Sequence, residues 1–496
     1  MKDPYQKLKT IFSQLSHVNY AERIMHWDEA VMMPEGAGKA RAEALATLNC
    51  MAQKMLVSTK NKKLMDAAKQ QELAFWDAAN LKWMEKKYIY AACIPAKLTE
   101  KVTQETMLCQ QAWRKLRAQN NWREFLPSFK RMFRLIREVA KRRGEALQLH
   151  PYDALLDEYA PGFNQKNIDG IFAGLKQTIP QLIEQIIKKQ ASVHAEIPVG
   201  PFPIEQQKQL GLAAMQAMQF DFKHGRLDTS HHPFCDGAPM DVRITTRYNE
   251  HEFLSSLMGV CHETGHGLYE QGLPREWVDQ PVGRIDSMAM HESQSLMMER
   301  QVCGSLPFYQ YLLSHIKEQL GHQTAFTAEN LYQVASHVQP GLIRVDADEV
   351  TYPLHIVLRY EIEKKLLNDE IEVKDLPGFW DEGMKSYLSL STRGNDKDGV
   401  MQDVHWPLGA FGYFPAYTLG RLIAAQLFAS FIKSHSNFYA ELKLGNFTSL
   451  HNWLSANVYS HAASLSTNDL LLKVTGKTLD SNYFIKHVQE KYLHTI

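Results

Sequence analysis

Helical periodicity constrains this chain more than any other feature. From Arg41 to Leu149 it is rich in Ala, Leu, Lys, Glu, Gln and Met, with apolar residues returning every three or four positions. Gly and Pro gather at a few corners, around Pro34–Gly38, Pro151–Gly162, Ile197–Pro203, Phe234–Pro239 and Pro407–Pro415. Strand signals are few. Met240 to Tyr248 alternates Val242, Ile244 and Thr246 against Arg243, Thr245 and Arg247, and Gly341 to Arg344 is a second, shorter candidate. The expected fold class is mainly α: a large helical body with a small β-sheet. A helical N-terminal region, 1–200, packs on a region 201–496 with no flexible linker between them.

Charge and cysteine usage exclude several function classes. The 55 basic residues balance 55 acidic ones, so no basic surplus points to nucleic acid. The N-terminal MKDPYQKLKTIFSQL interleaves charges with apolar residues and lacks the unbroken apolar core of a signal peptide. Leu422 to Ile432 is too short to span a bilayer and reads as a buried helix, so no membrane partner is expected. Six cysteines are scattered without a CxxC pair, which fits free thiols in a reducing compartment, the cytoplasm.

The segment His262-Glu263-Thr264-Gly265-His266 carries the chemistry. On a helix, positions i and i+4 lie about 40° apart around the axis and one turn along it. Two imidazoles so placed can share one tetrahedral ion, and the adjacent glutamate can reach a water beside it. The helix is supported by one apolar face: Phe253, Leu254, Leu257, Met258, Cys261, Gly265 and Leu268. Asn249 with Glu252 resembles a capping box, and Gly272 followed by Pro274 is a stop. Cys261 points about 100° from its neighbouring histidine and reads as core. Gly265 and Gly267 are unfavourable inside a helix, which suggests close approach of another backbone or of substrate.

A hydrolytic site needs a third protein ligand. His291, Glu292 and Glu299 lie on a second helical stretch, Glu292 and Glu299 on nearly one face and His291 about 100° away. Spacing alone does not choose between His291 and Glu292.

HETGH followed by HESQS resembles the carboxypeptidase Taq family of metallocarboxypeptidases. Further pieces agree in order: Trp27-Asp28 with Met33-Pro34, His232-Pro233-Phe234, Asp241-Val242-Arg243-Ile244-Thr245 (DxRxT), Ile343 to Asp348 (IRxxAD) and Gly399 to Trp406 (GxxQDxHW). The matches run from about residue 27 to about residue 420, most of the chain. The resemblance implies a helical fold split by a deep groove that the N-terminal helices cover, and one continuous family domain over 1–496. It implies a homodimer that removes single residues from the C-termini of peptides. It also implies His262, His266 and Glu292 as metal ligands and Glu263 as catalytic base, with zinc the usual ion and cobalt or manganese as alternatives.

Other roles are expected from the chemistry. The oxyanion needs a donor besides the ion, and His405, Tyr413 and Tyr417 are candidates by analogy with helical HExxH peptidases. Gly399 to Gly420, which carries them, has the content of a mobile loop beside a site or of a packed aromatic corner. An arginine fork suits the substrate's free carboxylate. Arg344 is the first choice, with Asp346 and Asp348 to position it. Arg243 is second, an internal pair with Asp241 being its other reading, and His232 lines the groove or orders the site. Glu299, Asp286 and Asp241 are candidates to orient the ligating imidazoles. The competing expectations are an endo-acting or dipeptidyl metallo-oligopeptidase, and a helical interaction protein whose HExxH is incidental.

Overall fold

The computed structural model describes residues 3–285 and 287–494. The chain begins with the Pro4–Val31 helix, opened by Asp3, whose carboxylate accepts from the backbone N–H groups of Tyr5 and Gln6. Its apolar positions Tyr5, Leu8, Phe12 and Leu15 form one stripe and pack with Met65, Ala68, Leu81 and Met84 in a small core of their own. The main core runs from Leu98 to Val488 and crosses residue 200 without a break. A cleft of about 590 Å³ lies between the N-terminal helices and this body, lined by Leu15, Trp83, Tyr90, Ile136, Tyr159 and Phe411 among others. The mainly helical class expected from periodicity is the observed one.

Three short strands form the sheet in the order β1-β3-β2: β1 (Gly225–Thr229), β2 (Phe234–Ala238) and β3 (Asp241–Thr246). β3 is parallel to β1 and antiparallel to β2, with Leu227 and Cys235 both opposite Ile244. Val242 and Ile244, fully buried, point at the Leu254–Gln271 helix. There Gly267 lets helix and sheet close: a Cβ would lie 2.8 Å from Phe220 and 3.0 Å from Ile244. Gly265, two residues earlier, faces the Met288–Leu296 helix, where a Cβ would lie 2.6 Å from the carbonyl oxygen of Gln294. Both glycines therefore admit close approach by other parts of the protein.

Two local expectations fail for physical reasons. Gly341 to Arg344 is not a strand; Arg344–Asp346 is a 3₁₀ turn. The side-chain amide of Gln402 takes the place of a partner strand, accepting from the Arg344 N–H at 2.8 Å and donating to the Leu342 carbonyl at 2.9 Å. The HExxH helix starts at Leu254, so Asn249 does not cap it; Asn249 accepts instead from His251 N–H. Phe253 is drawn inward between Phe202 and Phe326, and the Glu252 carboxylate caps Ser255 N–H.

The helix stops at Gly272 as expected. Gly399 to Gly420 takes the form of a packed aromatic corner that enters the Pro415–Ser434 helix. Trp406 stacks on Phe411, and buried Glu363 accepts from Trp406 Nε1, Gly412 N–H and the Tyr152 hydroxyl. Leu422 to Ile432 lies in that last helix. Among the described residues no helix is long and apolar enough to cross a membrane. All six cysteines are free.

Candidate metal centre and active site

The Leu254–Gln271 helix presents His262 and His266 from successive turns, their ring centroids 5.0 Å apart. Glu292, from the crossing Met288–Leu296 helix, places Oε2 3.7 Å from His262 Nε2 and 3.4 Å from His266 Nε2. One atom from each of the three lies within 4.8 Å of the other two. Two imidazole nitrogens and one carboxylate oxygen make a donor set that suits a borderline divalent ion and leaves a fourth tetrahedral position. His291 turns away: its ring stacks on His266 at 4.1 Å, and its Nε2 lies 3.6 Å from Glu270.

The other face of His262 is fixed by Glu299, whose Oε2 lies 2.8 Å from Nδ1. With its proton on Nδ1, the ring keeps the Nε2 lone pair for an ion. Glu299 gets there through a π-helical turn, Met297–Val302, that continues the Met288–Leu296 helix. Glu292 and Glu299 thus bracket one imidazole from a single helical segment. Burial pulls the His262 imidazole down, but these two carboxylates outweigh it and lift it to about 9. Burial would raise Glu299 too, yet Arg300 and His262 hold it down to about 2. Of the other candidates to orient an imidazole, Asp241 accepts instead from Tyr20 and Arg243, and Asp286 lies outside the described residues.

Glu263 is 7% exposed, and its Oε2 has no hydrogen-bond partner. Burial pushes its carboxyl up from the usual carboxylate range, against the pull of His262 and His266. A buried, unpartnered carboxylate beside a three-donor cluster is the arrangement a general base requires.

The aromatic corner leads into the helix whose Gly420 packs on Glu292. His405 Nε2 lies 3.0 Å from the Tyr417 hydroxyl, and the Tyr413 ring packs on Tyr417 at 5.2 Å. Tyr413 also packs on Tyr159, which lines the cleft. Burial and the nearby Arg344 charge lower His405 to about 4, and burial raises Tyr413 to about 12. At neutral pH both are uncharged.

Such a set of helices, strands and donors matches known proteins along its full length. Residues 7–492 match the family described as carboxypeptidase Taq (M32) metallopeptidase. The chain belongs to the M32 family. It is therefore a metallocarboxypeptidase. It is 33% identical to Thermostable carboxypeptidase 1 of Thermus thermophilus over 500 residues, covering 98% of each chain. It is 33% identical to Carboxypeptidase 1 of Bacillus subtilis over 490 residues, 97% of this chain and 96% of that one. The solved structure of Trypanosoma cruzi metallocarboxypeptidase 1 superposes with a TM-score of 0.97 at 38% identity, covering 99% of both chains.

Within this M32 carboxypeptidase the arginine candidates separate clearly. Arg344 is 6% exposed, sets Nε and Nη2 on Asp403 Oδ1 at 2.8 Å, and donates from Nη1 to the Tyr352 hydroxyl at 2.7 Å. Its guanidinium lies 5.2 Å from the Tyr417 ring. Asp403 also holds the fully buried Arg359, and the two arginines keep its carboxyl far below the usual range despite burial. Asp348 does not reach Arg344; it caps a turn through Val350 and Thr351, and Asp346 is exposed.

Arg243 pairs with Asp241 on β3 and stacks under Trp27, which docks the first helix on the sheet. His232 is exposed in the turn between β1 and β2. Asp403, Tyr352 and Arg421 were not singled out from sequence. The first sits two residues before His405 in the GxxQDxHW match, and the last is the lone charge at the start of an apolar run.

Proposed function

We propose that this M32 enzyme releases single amino acids from the C-termini of peptides, with His262, His266 and Glu292 holding one divalent ion. Zinc is the first choice, with cobalt or manganese as alternatives; the donor set supports this order. Bound there, the ion supplies an activated water at neutral pH and polarises the scissile carbonyl. Glu263 takes the water proton on its unpartnered oxygen and delivers it to the leaving amine, a role its raised pKa favours. Tyr417, oriented by His405, donates to the developing oxyanion, with Tyr413 beside it as the second candidate.

Arg344 receives the substrate's terminal carboxylate. Asp403 holds its Nε edge and leaves guanidinium N–H groups over beside Tyr417. Arg243 ranks behind it because Asp241 already fills its fork. His232 is kept as a residue of the groove rim. The N-terminal helices, 1–200, cover the groove over the 201–496 region, the whole acting as one domain. On the same reading the enzyme is a cytoplasmic homodimer; six free cysteines support the compartment and family membership the assembly.

The observation that carries this reading is Glu263, buried beside the three-donor cluster with one oxygen unpartnered. The test is an N-blocked peptide offered to the metal-loaded enzyme as free acid and as C-terminal amide, with products followed by mass spectrometry. Stepwise loss of single residues from the acid alone is expected. Glu263→Gln should keep its metal and lose at least about 10²–10⁴-fold in turnover. Internal cleavage of both forms would instead assign an endo-oligopeptidase, and an unaltered Gln variant would sink the base assignment.

A further inference from the structure

Arg421 is a buried charge that the mechanism above does not use. It sits one helical turn after Tyr417 on the Pro415–Ser434 helix and is 3% exposed. Neither Nε nor Nη1 has a hydrogen-bond partner, and among the described residues no carboxylate lies within 4.0 Å of it. Arg344 and Arg359, equally buried, share Asp403. A guanidinium removed from water without a partner is strongly unfavourable unless something supplies one.

Its surroundings say where a partner would arrive. The guanidinium lies over the Tyr352 ring at 4.6 Å, and the hydroxyl of that same tyrosine accepts from Arg344. Two guanidiniums thus flank one tyrosine, the first oriented by Asp403 and the second unmatched. The preceding residue, Gly420, packs directly on Glu292, so Arg421 stands beside the metal-ligand helix. Its charge also reaches Glu292 and Glu299 and helps hold both carboxyls down.

We infer that Arg421 receives a carboxylate on the side chain of the substrate's C-terminal residue, so that this enzyme favours peptides ending in glutamate or aspartate. A terminal acidic residue carries two carboxylates a few bonds apart. The pair of guanidiniums across Tyr352 offers one receptor for each: Arg344 for the backbone carboxylate and Arg421 for the side chain. The inference rests on the exopeptidase reading and on Arg344 as the terminal anchor. The rival role for Arg421 is an internal counter-charge to Glu292 and Glu299, which would act on metal binding.

The experiment compares N-blocked peptides ending in Glu, Asp, Gln, Asn and Ala, using metal-loaded wild type and Arg421→Met. Wild type should show kcat/KM roughly 10- to 100-fold higher for Glu than for Gln, the size of one charge-assisted pair. In Arg421→Met that ratio should collapse towards one, with metal content by mass spectrometry still one ion per chain. Equal treatment of Glu and Gln by wild type overturns the inference. So does a variant that slows both alike or loses its metal.

Should the variant fail to fold, calorimetric titration of free L-glutamate and L-glutamine into wild type keeps the question decidable. Selective binding of glutamate supports the receptor, and equal or absent binding overturns it. If wild type releases no terminal residue from any peptide, the exopeptidase reading falls. Calorimetry would still report on Arg421 independently.

Discussion

Glu299→Gln tests how the metal site is prepared, and two opposing effects set its outcome. Glu299 accepts from His262 Nδ1 at 2.8 Å and from Arg300 Nη2 at 2.7 Å. A glutamine keeps an oxygen acceptor but loses the charge that fixes the tautomer and makes the ring a better donor. Losing such an outer partner weakens metal binding by about 10- to 100-fold, or about 1.4–2.7 kcal/mol. The opposing effect is proton competition. With His262 lifted to about 9, its proton must leave when an ion binds. Below about pH 9 that displacement opposes binding, and the opposition fades as pH rises through that value. Glu299 is one cause of the lift, so removing it relieves part of the competition. The net loss of affinity should therefore be small near pH 7 and approach the full factor near pH 9. Competition with a chromogenic chelator at both pH values reads it directly. An equal loss at the two pH values, or none at either, refutes the argument that Glu299 acts through the His262 proton.

Two further substitutions probe the frame around the site. Gly265→Ala replaces the poorer helix former, which by propensity alone would stabilise by about 1 kcal/mol. Its Cβ would lie 2.6 Å from Gln294 O and 2.7 Å from Ser295 Cα, both backbone atoms that cannot swing aside. Overpacking of about 1–3 kcal/mol should win, lowering Tm and metal content together if the two helices carry the ligands as proposed. An unchanged Tm would refute that. Glu349 is fully buried and accepts from His487, Lys491 and Tyr492, which ties the C-terminal helix to the body. Burial opposes its charge, but Lys491 and His487 hold its carboxyl well below the usual range. A depressed carboxyl adds stability that is complete above its unfolded value of about 4.3 and is lost as pH falls towards the folded one. Glu349→Gln should thus destabilise by about 3–5 kcal/mol at neutral pH, with the gap to wild type closing below about pH 4. Urea midpoints across that range decide; a constant gap would show that charge is not what holds the C-terminus.

The legible parts of this site are those in which sequence spacing converts directly into geometry. His262 and His266 are four apart on a helix, so their convergence follows from pitch alone. The choice of Glu292 over His291 does not, because either could face an ion until the crossing angle of two helices is known. That angle depends on Gly265 meeting the Gln294–Ser295 backbone, a contact between segments far apart in the chain. Arg344 could be proposed from sequence as a carboxylate receptor, but its pairing with Asp403 and the Gln402 clip that abolishes the strand at Gly341 are long-range accidents of packing. Asn249 misled because a local capping pattern lost to the burial of Phe253. Arg421 left a trace, a lone charge heading an apolar run, which only the structure turns into an unmatched guanidinium.

The distribution of charge gives the site a direction. Glu263, Glu292 and Glu299 all come from the HExxH helix and the helix crossing it, so the proposed hydrolytic residues are gathered on the acidic side. Arg344, Arg359 and Arg421 come from the chain beyond residue 340, and one aspartate, Asp403, answers two of them. The basic side therefore carries uncompensated positive charge, which adds to burial in lowering His405 to about 4 and keeps that imidazole neutral beside Tyr417. A peptide lying between the two sides is stabilised with its negative terminus towards the arginines and opposed in the reverse orientation. The arginines flank Tyr352 and Tyr417, and Gly420, from the same helix as Tyr417 and Arg421, packs on Glu292, so on the proposed reading little chain fits between a carboxylate held by Arg344 and a bond held at the ion. If Arg344 anchors the terminal carboxylate as proposed, an electrostatic gradient over so short a span favours the last peptide bond, and with it an exopeptidase over an endopeptidase.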